Sequence, residues 1–136
     1  VGDVDQARVE KALAGLNEKW AAKEVAMPAL TFPPAPEKSA IYFVDIPGAK
    51  QSVINIGGPS MPRNHPDYYK ADVANFMLGG GVSARLFMVL REEKGFTYGA
   101  YSGFSGMKNY GTFTAYASVR TDATLESVEL FRDIMA

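Results

Sequence analysis

Apolar residues recur along this chain at two different periods. Val9, Leu13, Leu16 and Trp20 fall three and four apart, which predicts a peripheral amphipathic helix from Asp5 to about Trp20 with an acidic first turn suited to its dipole. "AIYFVDI" and "KQSVINIGG" are instead rich in β-branched and aromatic residues and flank Pro47-Gly48-Ala49, the pattern of two strands joined by a short turn. Helical spacing returns in "HPDYYKADVANFML". Pro66 stands near its start, and Tyr69, Val73, Phe76 and Met77 mark a core-facing stripe. Ser83 can cap a further helix carrying Leu86, Phe87 and Leu90, and Gly95 sits where a left-handed stop belongs. Beyond it, two alternating runs surround Lys108-Asn109 and predict a hairpin. Phe113, Ala115, Ala117 and Val119 lie on one face, and Thr112, Thr114, Tyr116 and Ser118 on the other. Thr121 or Asp122 caps a last helix. The resulting order defines an α+β fold: a mostly antiparallel sheet with helices packed on one face.

The prolines at 28, 33, 34 and 36 interrupt this pattern, because they forbid regular pairing and favour an extended connector. Residues 1–26 are therefore expected to end one unit as a strand remnant plus helix. Residues 27–38 then form a linker, and 39–136 form an α+β domain cut short at its C-terminus. Both ends read as excised, since "VGDV" resembles the tail of a strand and "TLESVELFRDIMA" is a helix pattern without a stop.

Composition narrows the chemistry. With 14 basic and 15 acidic residues the net charge is -1, so no basic field exists to draw in nucleic acid. The chain has no cysteine and one histidine, His65, which removes thiolate nucleophiles and leaves too few ligands for a zinc first shell. No apolar run approaches the roughly 20 residues that cross a bilayer. Membrane insertion is not expected.

The densest stretch is "FMLGGGVSARLFMVLREEKGFTYGAYS". A phosphate loop needs Lys and Ser or Thr directly after its last glycine, whereas Gly81 precedes Val82-Ser83-Ala84, so Gly79-Gly80-Gly81 reads as a helix stop and bend rather than a nucleotide site. Glu92 and Glu93 point about 100° apart on a helix and form no acid/base couple. Arg91 and Tyr98 remain. Arg91 lies in the last turn before Gly95 and Tyr98 opens the returning strand, so a guanidinium and a phenol could emerge together and donate to a carbonyl or carboxylate oxygen. The plainer reading also stands: an Arg favoured by a helix C-terminus and a Tyr packed on a strand.

The run from Gly79 to Tyr98, with its glycine bend, Ser-x-Arg-Leu-Phe helix and Arg-Glu-x-x-Gly-x-x-Tyr stretch, closely resembles the insulinase/pitrilysin-type zinc peptidases, the inverzincins. The resemblance covers nearly the whole chain. It implies paired homologous α+β half-domains, of the LuxS/MPP-like kind, that face each other across a closed chamber. In such proteins one half holds zinc through His-x-x-Glu-His, whose Glu activates water. The other half reaches across with an Arg and a Tyr to the bound peptide. Arg91 and Tyr98 match that pair at the family's spacing, so they are expected to bind substrate, with no catalytic or metal residue in this chain. Because it lacks His-x-x-Glu-His, the chain resembles the inactive half and is expected to cut nothing alone. Its zinc would reside in a partner domain, in the same or another polypeptide, of a metalloendopeptidase located in bacterial periplasm or cytoplasm. The rival expectation is a structural scaffold subunit related to such peptidases.

Overall fold

Asp5 starts the first helix by chemistry rather than by hydropathy. Its carboxylate accepts the Arg8 backbone N–H at 2.8 Å, and helix α1 runs Gln6–Lys19. The acid thus sits at the cap, and the first turn itself carries none. Residues 2–5 are not in a strand. These facts come from a computed structural model, which describes residues 2–20, 22–26, 34 and 36–136. Most of the proline-rich connector, with Pro28 and Pro33, lies outside the described residues. The chain divides into two units, 1–31 and 32–136.

In the larger unit the elements are strand β1 (Gln51–Ser60), helix α2 (Tyr68–Gly79), a short helix α3 (Arg85–Phe87) that continues as a π-helical turn (Met88–Glu93), strands β2 (Thr97–Gly106) and β3 (Gly111–Arg120), a 3₁₀ turn (Thr121–Ala123) and helix α4 (Thr124–Met135). The three strands form one antiparallel sheet in the order β1-β3-β2. Ile54 and Ala100 both stand opposite Ala117, which fixes the buried face. Ala115, Ala117 and Val119 of β3 meet Leu86, Leu90 and Phe131 there. Small residues on the strands and large ones on the helices let the two layers approach closely. This is the expected α+β arrangement, with the predicted hairpin and its two faces.

Four expectations need correction. Residues 40–46 form no strand: Ile41 is 93% exposed, and among the described residues none pairs with this segment, so its β-prone side chains have no ladder to join. The turn after it does form, with Gly48 at φ 80° and the Ala49 N–H bonded to the Ile46 carbonyl. On α2 the buried residues are Tyr68, Asn75 and Gly79, while Tyr69, Val73, Phe76 and Met77 are exposed. The cause is polar. The Asn75 side chain donates to the Ser102 carbonyl at 2.9 Å and accepts the Ser102 hydroxyl at 2.6 Å. Tyr68 donates to the Phe104 carbonyl and accepts the Gly106 N–H, both at 3.2 Å. Helix α2 thereby occupies outward backbone groups of edge strand β2. Ser83 caps nothing, since Ala84 is the N-cap of α3. Neither Thr121 nor Asp122 caps α4, because a 3₁₀ turn intervenes and no side chain caps the helix.

Candidate functional site

The reversal between the π-helical turn and β2 is built from two local irregularities. In the first, the Lys94 N–H reaches the Val89 carbonyl and the Phe96 N–H that of Leu90 at 2.9 Å, while the Gly95 N–H bonds to Arg91. Gly95, at φ 64°, then ends the helical path as the sequence predicts. A π turn displaces side chains from their ordinary helical bearings, and such turns are frequent at functional sites. Arg91 sits inside it.

The second irregularity is a break in register between Thr97 and Ala100, where Tyr98 and Gly99 are accommodated. The Thr97 hydroxyl holds it, donating to the Ser118 carbonyl at 2.6 Å and accepting the Gly99 N–H at 3.1 Å. A bulge of this kind re-aims a side chain. Tyr98 is accordingly 84% exposed, where an even continuation of the strand would turn it to the buried face with Ala100 and Ser102.

The two expected residues come together. The Arg91 guanidinium carbon lies 4.6 Å from the centre of the Tyr98 ring and 4.9 Å from that of Phe87. Its Nε is also 3.4 Å from the Glu92 carboxylate, a half-exposed neighbour. One residue before Gly95, Glu126 accepts a hydrogen bond from the exposed Lys94 at 2.8 Å and raises the pKa of that ammonium. What this arrangement offers chemically is a set of N–H and O–H donors at an exposed corner. Phe87, whose ring lies against Arg91, was not singled out as a site residue from sequence. Its spacing of four before Arg91 was the available signal.

The glycines serve packing. A Cβ on Gly79 would overlap the backbone nitrogen and hydroxyl of Ser102, and one on Gly80 would come within 2.6 Å of Phe76 Cα. Close approach of α2 to β2 requires Gly79, Gly80 is crowded by the preceding turn of α2 itself, and no phosphate need be invoked. Among the described residues no three His, Cys, Asp or Glu side chains are grouped to hold a metal ion. His65 is exposed and accepts the Asp67 N–H at 3.2 Å. The residues present do not fit zinc. No helix among the described residues is long and apolar enough to cross a membrane.

Fold and site first define a class, a two-layer α+β domain with an Arg–Tyr pair at a chain reversal. More narrowly, the chain belongs to the peptidase M16 inactive domain family, whose profile matches residues 1–136. It is 33% identical to an uncharacterised zinc protease of Streptomyces coelicolor, SCO5738, over 137 residues, 97% of this chain and 30% of that protein. A zinc protease of Bacillus subtilis, YmxG, also uncharacterised, is 30% identical across 64% of this chain, equal to 21% of its own length. Among solved structures, the peptidase M16 inactive domain from Pseudomonas fluorescens superposes with a TM-score of 0.79 at 29% identity, over 99% of this chain and 32% of that one. A Helicobacter pylori protease shares the fold, with a TM-score of 0.69 at 22% identity over 96% of this chain and 33% of its own. The chain therefore spans about a third or less of these relatives.

Proposed function

We propose that this chain is the peptide-contacting, non-catalytic domain of a zinc metalloendopeptidase, which grips substrate and closes a chamber beside a zinc site on a homologous partner domain. The observation that carries the reading is the Arg91 guanidinium resting 4.6 Å from the exposed Tyr98 ring at the reversal. Stacking on a ring engages the guanidinium through its face and leaves N–H groups at its rim as donors. The Tyr98 hydroxyl adds another. Together they suit the lone pairs of a backbone carbonyl, which an extended peptide presents at regular intervals. Donors held in place before the peptide arrives need not reorganise as charge develops on that oxygen, and removing one such donor in known oxyanion sites costs on the order of 100-fold or more in rate. The relatives' names as zinc proteases support the setting. Hydrolytic chemistry belongs to the partner domain; holding the peptide belongs to Arg91 and Tyr98.

The test is kinetic, in the full-length protein with its zinc-bearing domain. Arg91→Ala is expected to lower kcat/KM by on the order of 100-fold, and Tyr98→Phe, which removes only the hydroxyl, by about 10-fold or more. Unchanged kcat/KM in both variants would refute the grip and favour a scaffold role.

A further inference from the structure

The two rings against Arg91 are not equivalent. Phe87 is 3% exposed and its ring leans on Tyr101 with centroids 5.7 Å apart, so its rotamer is fixed by the packing around it. Tyr98 is 84% exposed and stands on a bulge. The guanidinium Nε also lies 3.4 Å from the half-exposed Glu92 carboxylate, and exposed ion pairs of this kind orient a side chain weakly. Support therefore runs outward from the core, from Phe87 to Arg91 and from Arg91 to Tyr98. Both guanidinium–ring distances, 4.9 Å to Phe87 and 4.6 Å to Tyr98, fall within reach of a cation–π contact.

We propose that Phe87 is the positioning residue of the peptide grip: its buried ring sets the bearing of the Arg91 guanidinium, which in turn steadies the Tyr98 ring. The proposal rests on the reading of Arg91 and Tyr98 given above. Phe87 is buried and acts through Arg91. Loss of its ring would release both donors, whereas loss of the Tyr98 ring would leave Arg91 still lying on Phe87. An aliphatic side chain can fill the same core volume but cannot attract a cation through a ring quadrupole, which separates this role from plain packing.

The experiment uses the full-length protein and the variants Phe87→Leu, Phe87→Tyr, Arg91→Ala and the Phe87→Leu/Arg91→Ala double. Phe87→Leu is expected to lower kcat/KM roughly 2- to 30-fold. Phe87→Tyr, which keeps the ring, should recover most of that, and the double variant should be no slower than Arg91→Ala alone. Full additivity in the double, or a silent Phe87→Leu, overturns the proposal. If Arg91→Ala is itself silent, the grip reading fails instead. Phe87 is then judged by a readout free of activity, the arginine Nε–H resonance of Arg91, which ring currents displace in the wild type. Phe87→Leu should return it close to the value of a free arginine, and Tyr98→Leu should return it only partway. Should Phe87→Leu fail to fold, Tyr98→Leu still decides, because complete loss of the displacement there would show that Phe87 does not hold Arg91.

Discussion

Gly95 and Tyr98 sit three residues apart, and they differ in how much of their role a sequence can carry. Gly95 adopts φ 64°, and a Cβ built on it meets no atom within 4 Å, so the requirement for glycine is one of backbone conformation alone. Gly95→Ala is accordingly expected to cost about 1–2 kcal/mol, seen as a lower urea midpoint with an unchanged slope. A midpoint equal to wild type would mean that the turn relaxes to a different path. This position was legible because a helix stop is local chemistry. The exposure of Tyr98 was not, since it depends on a bulge held by a Thr97 hydroxyl that donates across to the Ser118 carbonyl. Spacing alone brought Arg91 and Tyr98 to the same reversal; the π turn and the bulge that aim them arise from pairing.

At the level of elements, α2 inverts what periodicity implies. Val73 belongs to a regular apolar stripe and is exposed, whereas Asn75 is polar and buried against Ser102. Asn75→Ala should therefore destabilise the chain by about 1–3 kcal/mol, because the Ser102 carbonyl is left buried without its donor. Val73→Ser should shift stability by less than about 0.5 kcal/mol. Chemical denaturation of both variants checks the order, and a larger loss at Val73 would place the helix the other way round. Hydropathy counts apolar residues and is blind to a face chosen by hydrogen bonds and by a glycine that admits a neighbouring strand. The hairpin β2–β3 was readable for the converse reason: β3 has one buried face and one open face, and strict alternation reports that directly. Residues 40–46 carry the composition of a strand, and none of the described residues pairs with them.

For the whole molecule, the family and the α+β fold agree with what the motif run from Gly79 to Tyr98 implied. Its described residues group no metal ligands. Under the proposed function the chain is one wall of a larger enzyme, and it contributes a pair of donors turned toward a peptide supplied from outside the domain. The most direct measurement is a structure of the full-length protein with a non-hydrolysable peptide bound. A peptide carbonyl oxygen is expected within about 2.7–3.2 Å of an Arg91 guanidinium nitrogen or the Tyr98 hydroxyl. A peptide seated elsewhere, with both groups left to solvent, would contradict the proposed function.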